Sequence, residues 1–126
     1  HLSLRRQRQM CIRDRCIARA LAADPEFIIC DEVTSALDQI VQEGILKLLM
    51  RLQKELNLTY LFITHDISTV RAISDHVVVM NLGEVVEQGI KSDVFSPPHP
   101  DYTELLLSSV PEMDPDWLNN LNKKRD

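Results

Sequence analysis

The chain has 126 residues, of which 44% are hydrophobic and 26% are charged, values ordinary for a soluble globular domain with one core. No apolar run approaches the ~20 residues that a membrane-spanning helix needs, and no apolar segment follows the first charges as in a signal peptide. The formal net charge of −5 argues against nucleic acid as the main partner.

The first half of the chain alternates between predicted helix and predicted strand. Residues 7–23 contain neither glycine nor proline and are predicted to form a helix that ends before Asp24 and Pro25. Residues 27–30 (FIIC) form a short apolar run, typical of a strand buried on both faces of a parallel sheet. Apolar residues then recur at helical spacing, which predicts an amphipathic helix over 40–56. They are Val41, Ile45, Leu48, Leu49, Leu52 and Leu56.

The second half begins with another apolar run, residues 60–64 (YLFIT), which predicts a second buried strand. Asp66 or Ser68 can cap a short helix after it. Residues 77–80 and 84–87 flank a short turn and predict an antiparallel hairpin. Prolines then break the chain, a short helix is expected over 101–108, and residues 111–126 are expected to fray.

This alternation predicts an α/β fold with a mostly parallel sheet, flanking helices and a hairpin near the C-terminus. Strands near 27–31, 60–64 and 77–80 are expected to share one sheet, with helix 40–56 packed across it. The hairpin is expected because the turn at Leu82 and Gly83 is too short for any other return of the chain.

The cysteines and the basic residues are interpreted as structural. Three cysteines at irregular spacing match no zinc site, and Cys30, inside an apolar run, is expected to be a buried free thiol in a reduced, cytosolic compartment. A local basic block is interpreted as a solvated helix face. It consists of Arg5, Arg6, Arg8, Arg13, Arg15 and Arg19.

Two acidic residues directly follow the first apolar strand. Asp31 and Glu32 are therefore expected at the C-terminal edge of the sheet, where α/β folds bind ligands. Asp31 is suited to hold Mg²⁺ directly or through water, and Glu32 can polarise an attacking water. By themselves, the two residues are equally consistent with a strand that ends in solvent-exposed acids.

Two further polar features accompany these acids. Residues 34–38 (TSALD) have the pattern of a turn followed by a helix N-cap at Asp38. His65 follows the next strand, and a lone histidine at such a place is usually structural. Because Glu32 and His65 would both reach the same sheet edge, their convergence favours a functional interpretation.

Residues 31–38 (DEVTSALD) followed by 63–66 (ITHD) strongly resemble ATP-binding-cassette ATPases, a branch of the P-loop NTPases, and the similarity extends over about residues 16–110. The resemblance implies that Asp31 serves Mg²⁺, Glu32 the attacking water and His65 the γ-phosphate of ATP. It also implies that Asp38, in the D-loop, communicates across a dimer of such domains. Residues 16–21 (CIARAL) resemble the helix that follows the family's signature motif.

Residues 94–106 resemble the extension of oligopeptide, dipeptide and nickel importers. We therefore divide the chain into residues 1–89, the C-terminal part of a nucleotide-binding domain, and residues 90–126, the extension. The resemblance implies an ATPase that couples hydrolysis to uptake of peptides or similar small solutes, at the cytoplasmic face of the bacterial inner membrane. Implied partners are a second nucleotide-binding domain, transmembrane permease subunits and, indirectly, an extracytoplasmic solute-binding protein.

Two departures from the family pattern stand out. The phosphate loop G-x-x-x-x-G-K-[ST] is absent and the chain begins with His1, so we expect a fragment that is inactive alone. In the signature, Leu2 and Ser3 survive, which leaves Ser3 as a candidate nucleotide contact. Residues 4–6 (LRR) stand where glycines belong, and their side chains obstruct close backbone approach to a phosphate. The signature is thus disrupted over residues 4–15.

Residues 9–15 (QMCIRDR) have the sequence encoded by a transposon-end adapter used in sequencing libraries. We hypothesise that this segment is an assembly artefact; the alternative is a natural, degenerate signature helix.

Two other functions stay open: a soluble cassette ATPase of DNA repair or translation, and an inert fragment. The sequence specifies neither the solute nor whether the parent protein carries one cassette or two.

Overall fold

The computed structural model describes residues 2–35 and 37–109, and of residues 2, 3, 5–7 and 9–11 it describes the backbone alone. The described residues fall into two compact units, one that ends at Thr64 and one that begins at His65. The elements in chain order are α1 (Leu2–Leu21), β1 (Phe27–Asp31), α2 (Gln39–Leu56), β2 (Thr59–Ile63), α3 (Ile67–Ile73), β3 (His76–Asn81), β4 (Glu84–Ile90), α4 (Lys91–Val94) and α5 (Asp101–Ser108).

The first unit contains a parallel strand pair joined by a helix. β1 and β2 pair in parallel from Phe27 beside Thr59 to Asp31 beside Ile63, and α2 makes the crossover that a parallel pair requires. The helix ends at Asn57, whose left-handed backbone (φ 53°) lets its N–H reach the Gln53 carbonyl oxygen. Both strands and α2 were predicted from the apolar pattern, to within one or two residues.

The core of this unit lies between the helices and one face of the strand pair. Its buried apolar residues are Cys30, Ile45, Leu46, Leu49 and Leu58. The Tyr60 hydroxyl on β2 donates a 2.7 Å hydrogen bond to the Leu49 carbonyl oxygen on α2, which fixes the helix to the sheet. An apolar cavity of about 110 Å³ remains between α1, α2 and the strands. The predicted packing of this helix is confirmed, except that Leu56 is exposed.

The other face of the strand pair is open to solvent. Successive side chains of a strand point to opposite faces, and the register places Ile29 beside Leu61 on the open face. The apolar residues on this face are 46–58% exposed: Phe27, Ile29, Leu61 and Ile63. The prediction of strands buried on both faces is therefore wrong for the described residues, because the helices of the first unit cover only one face of the strand pair.

The second unit begins with α3, capped by the Asp66 side chain, whose Oδ1 accepts from the Ser68 N–H at 3.0 Å. β3 and β4 then form the predicted antiparallel hairpin. Leu82 (φ 50°) and Gly83 (φ 81°) both have left-handed backbones, as in the type I′ turns that suit two-residue hairpin loops. A bulge at Val86 shifts the register between Val79 and Met80.

The prediction that β3 shares a sheet with β1 and β2 is wrong. In the described part of the chain, β1 pairs with β2 and β3 pairs with β4, so one pair is parallel and one antiparallel. The two-residue turn brings β4 to one edge of β3 at little loop-closure cost, whereas pairing at the other edge would need a partner distant in the sequence, which the local apolar pattern does not specify. The α/β class is confirmed, whereas the mostly parallel sheet is not.

Helices α4 and α5 follow the hairpin. α5 matches the predicted helix, whereas α4, only four residues long, was not predicted. The Lys91 ammonium donates to the Arg71 carbonyl oxygen at 3.1 Å, and the Arg71 guanidinium lies 4.7 Å from the centre of the Phe95 ring. These contacts join α3 to α4. The predicted fraying of residues 111–126 falls outside the described residues.

Candidate functional site

The acidic pair lies at the end of β1, as predicted from the sequence. Asp31 is the last residue of the strand and is exposed, and Glu32 follows it, half-buried. Glu32 has a left-handed backbone (φ 52°), which costs a non-glycine residue about 1 kcal/mol. Its surroundings hold this conformation, because the Glu32 N–H donates to the Ile63 carbonyl oxygen on β2 at 2.8 Å.

The turn after Glu32 is held by internal and external hydrogen bonds. The Ser35 N–H and hydroxyl donate to the Glu32 carbonyl oxygen at 3.1 and 2.9 Å. The Arg13 guanidinium, from α1, donates to the carbonyl oxygens of Val33, at 3.2 Å, and Ser35. Arg13 is half-buried, so its interpretation as part of a solvated helix face is wrong. No local sequence signal marks it, because its partners lie 20 and 22 positions away.

Asp38 is the N-cap of α2. Its Oδ1 accepts a 3.0 Å hydrogen bond from the Val41 N–H, and the residue is exposed. The N-cap prediction is confirmed. A role for Asp38 in communication across a dimer stays a prediction.

The remaining candidates lie apart from this turn along the chain. Ser3 lies in the first turn of α1, and its side chain is outside the described part of the structure. The α1 helix runs without a break through residues 4–15, where the signature departs from its pattern. His65 is exposed and opens the second unit, directly before the N-cap Asp66. That Glu32 and His65 project from one sheet edge stays a prediction.

A buried thiol lies beneath the site. Cys30 is 3% exposed and free, as predicted, and burial raises the pKa of its thiol from 9.0 to about 11. Burial, with a smaller contribution from Cys30, also raises the pKa of Tyr60. Both groups therefore stay neutral at physiological pH and add no charge under the acidic pair.

Asp31 suits the way in which proteins commonly bind magnesium, which needs no dedicated cage of protein ligands. The described residues contain no cluster of three or more histidine, cysteine or acidic side chains that could hold a metal. Magnesium keeps several waters and commonly binds through one or two carboxylates together with substrate phosphates. An exposed Asp31 carboxylate at the end of a strand meets that requirement.

Among the residues that the structure describes, no helix has the length and apolar character needed to cross a membrane.

Residues 86–126 match the family described as the oligopeptide/dipeptide transporter, C-terminal region. The chain is 51% identical to the oligopeptide transport ATP-binding protein OppF of Bacillus subtilis, over 82% of this chain and 34% of that protein. It is 50% identical to the dipeptide transport ATP-binding protein DppF of Escherichia coli, over 79% and 30%. It is 48% identical to the glutathione import ATP-binding protein GsiA of Pectobacterium atrosepticum, over 79% and 16%. The chain thus spans about a third or less of the length of these relatives.

Proposed function

We propose that the chain forms part of the ATP-binding subunit of an ATP-binding-cassette importer of peptides. The observation that carries the proposal is the identity of about one half to named transport ATP-binding proteins over about four fifths of the chain. The longer protein would bind and hydrolyse ATP and couple hydrolysis to uptake of peptides or similar small solutes.

The end of β1 supports the hydrolytic part of the proposal. Asp31 would hold Mg²⁺, which when bound would neutralise charge on the nucleotide phosphates. Glu32 would accept a proton from the attacking water and orient it, a task that suits a carboxylate held in a fixed turn. His65 would contact the γ-phosphate, and Ser3 and Asp38 would serve the nucleotide and the partner cassette.

The proposed partners follow from the same relationship. They are a second nucleotide-binding domain, the transmembrane permease subunits and, indirectly, an extracytoplasmic solute-binding protein. The subunit would lie peripherally at the cytoplasmic face of the inner membrane. A soluble ATPase of DNA repair or translation is not favoured, because the relatives described above are named for transport.

The test uses the full-length protein that carries this sequence, reconstituted with its permease. Glu32→Gln keeps the shape of the side chain and removes the basic carboxylate, so phosphate release and peptide uptake should fall at least ~100-fold while ATP binding is kept. Glu26→Gln is the matched control, since Glu26 is exposed and immediately precedes β1, at the end opposite Glu32; it should leave both rates unchanged.

Full turnover in the Glu32→Gln protein would remove Glu32 from catalysis. ATP hydrolysis that is stimulated by DNA or ribosomes, with no uptake by the reconstituted permease, would replace the importer proposal with the soluble one.

A further inference from the structure

The first turn of the extension contacts the C-terminal end of α3. The Lys91 ammonium donates to the Arg71 carbonyl oxygen at 3.1 Å, and the Lys91 N–H donates to the Asp75 carbonyl oxygen at 3.0 Å. The ring of Phe95, one helical turn further on, has its centre 4.7 Å from the Arg71 guanidinium. Two residues of the extension thus hold the end of a helix that begins just after His65.

We propose that Lys91 and Phe95 are positioning residues, which hold α3 and thereby His65, two positions before the start of this helix. The proposal rests on the contact with the γ-phosphate proposed above for His65. It gives a task in hydrolysis to the segment that matches the C-terminal region of oligopeptide and dipeptide transporters. In this account neither residue touches nucleotide, and both act through α3.

Lys91 suits the end of α3 for an electrostatic reason. The last carbonyl oxygens of a helix have no N–H partner within the helix and carry partial negative charge. Arg71 lies in the last turn of α3, so its carbonyl oxygen is one of these, and a lysine ammonium both bonds to it and offsets that charge. Helices shorter than roughly 12–15 residues are marginal by themselves, so α3, with 7 residues, depends on contacts of this kind.

Phe95 holds the side chain of the residue whose carbonyl oxygen Lys91 holds. A guanidinium within about 6 Å of the centre of an aromatic ring is attracted to the face of that ring. Arg71 is exposed and Phe95 is half-buried, so this contact alone is weak. Together with the Lys91 bond, it fixes one residue of α3 through both its backbone and its side chain.

The other end of α3 holds the residue that follows His65. The Asp66 carboxylate accepts from the Ser68 N–H and from the Thr69 hydroxyl, each at 3.0 Å. The Asp66 carbonyl oxygen accepts from the Val70 N–H at 3.2 Å. Thr69 is 1% exposed, so this turn is anchored inside the second unit. Because one peptide bond joins His65 to Asp66, the position of α3 sets the backbone from which the His65 side chain extends.

Amide hydrogen exchange, followed by NMR on the 126-residue chain, tests whether the extension holds α3. The Val70 N–H reports on α3, and the Glu104 N–H, bonded to the Pro100 carbonyl oxygen, is the reference within the same unit. Lys91→Ala should speed exchange at Val70 about fivefold and leave Glu104 unchanged. Phe95→Leu, which keeps an apolar side chain and removes the ring, should speed it about threefold.

Two further variants are the controls. Lys91→Arg keeps a charged donor at the end of α3 and should retain most of the protection at Val70. Lys54→Ala removes an exposed lysine from the last turn of another helix, α2, and should leave exchange at Val70 and at Glu104 unchanged.

Phosphate release by the full-length protein tests the step from α3 to His65. Lys91→Ala should lower kcat for ATP hydrolysis about fivefold and leave the affinity for ADP unchanged, because ADP lacks the γ-phosphate that His65 is proposed to contact. Lys91→Arg should restore most of kcat, and Lys54→Ala should match the unaltered protein.

Unchanged exchange at Val70 in Lys91→Ala or in Phe95→Leu would overturn the proposal. Equal acceleration at Val70 and Glu104 would also overturn it, since that pattern indicates a loss of stability throughout the unit. The same holds for an unchanged kcat in Lys91→Ala, or for a kcat that falls together with the affinity for ADP. The exchange measurement needs no nucleotide, so its result is independent of the Glu32→Gln test of the proposed function.

Discussion

The backbone N–H of Glu32 donates a 2.8 Å hydrogen bond to the carbonyl oxygen of Ile63. This bond extends the parallel ladder one step beyond its last paired residues, Asp31 and Ile63. Glu32 therefore stays attached to β2 although its left-handed backbone takes it out of β1. The position of the proposed catalytic carboxylate consequently depends on both strands and on the helix that connects them.

The 126-residue chain alone should release phosphate from ATP only at the background rate. It contains no G-x-x-x-x-G-K-[ST] loop, and phosphoryl transfer depends chiefly on the positioning and charge stabilisation that such a loop supplies. The sequence also has LRR at positions 4–6, where the signature pattern has glycines, and we expect these larger residues to hinder the approach of backbone donors to a phosphate. Phosphate release with Mg²⁺ and ATP should be the same in the Glu32→Gln chain. Turnover that disappears in that variant would show that the chain is a complete enzyme.

Loss of the Asp38 side chain should destabilise the first unit. Asp38→Ala leaves the Val41 N–H at the start of α2 without its acceptor, so the free energy of unfolding should fall by about 1 kcal/mol. Urea denaturation followed by circular dichroism measures the change. Asp38→Asn keeps an acceptor oxygen and should retain most of the stability. If the asparagine variant is as unstable as the alanine variant, the charge rather than the cap is responsible.

Replacing the first central residue of the hairpin turn should increase the stability of the protein. Leu82 has a left-handed backbone (φ 50°), which is strained for a residue with a side chain. Its side chain is 96% exposed, so packing does not offset this strain. Leu82→Asn places at positions 82 and 83 the Asn-Gly pair that type I′ turns prefer, and should raise the thermal midpoint through a gain of about 1 kcal/mol. Leu82→Ala lacks the short polar side chain with which asparagine hydrogen-bonds locally in a left-handed conformation, so it should give no comparable gain; an equal rise in both variants would exclude that explanation.

The burial of a leucine on α2 should decide how much stability is lost when it is replaced by alanine. Leu49 is 3% exposed, and Leu49→Ala should lower the free energy of unfolding by about 2–5 kcal/mol, since it opens a cavity next to the one already present. Leu56 is 54% exposed on the same helix, and Leu56→Ala should cost less than about 0.5 kcal/mol. Similar losses in chemical denaturation of the two variants would contradict the described packing of α2.

The Cys30 thiol should make stability depend on pH in the alkaline range. Because burial raises its pKa from 9.0 to about 11, the folded state keeps the proton that the unfolded state loses. This contribution is full below pH 9 and is lost as pH rises through 11, with a fall of about 2 kcal/mol between pH 8 and pH 10.5. Urea denaturation at both pH values, compared with Cys30→Ala, isolates it. If Cys30→Ala loses the same stability between the two pH values, groups other than Cys30 cause the loss.

Thiol labelling gives a second measure of the same burial. At pH 8, iodoacetamide should modify the exposed Cys16 and spare the buried Cys30, because the thiolate is the reactive form and Cys30 is both inaccessible and protonated. Peptide mass spectrometry distinguishes the two sites. Equal modification of both under native conditions would indicate that β1 opens readily.

The sequence predicted those features that arise from neighbouring residues. The apolar run at 27–30, the helical spacing over 40–56 and the turn at Leu82 and Gly83 each specify an element through local conformation, and each element is present. The cap at Asp38 was predicted for the same reason, and the cap at Asp66 was one of two candidates together with Ser68, since a capping side chain bonds to a backbone N–H within three positions.

Features that depend on distant partners were not predicted. The pattern of β3 does not specify which strand it pairs with, and a continuous apolar run does not reveal that Ile29 and Leu61 face solvent. Arg13 resembles an ordinary surface cation in the sequence. It was missed because the turn that it binds lies 20 or more residues away along the chain. The positions of Asp31 and Glu32 at a strand end were predictable; the contact that holds them was not.

The registers of the two strand pairs imply an order of folding. Partners in the hairpin lie 3 to 14 positions apart in sequence, from Asn81 and Glu84 to His76 and Ile90, whereas every partner pair in the parallel ladder lies 32 positions apart. Short separations close quickly and long ones must first overcome the entropy of the intervening segment. In pulse-labelled refolding, amides of β3 and β4 should therefore become protected before those of β1 and β2. The proposed catalytic turn, which needs both β1 and β2 in place, is then among the last parts of the chain to acquire its structure.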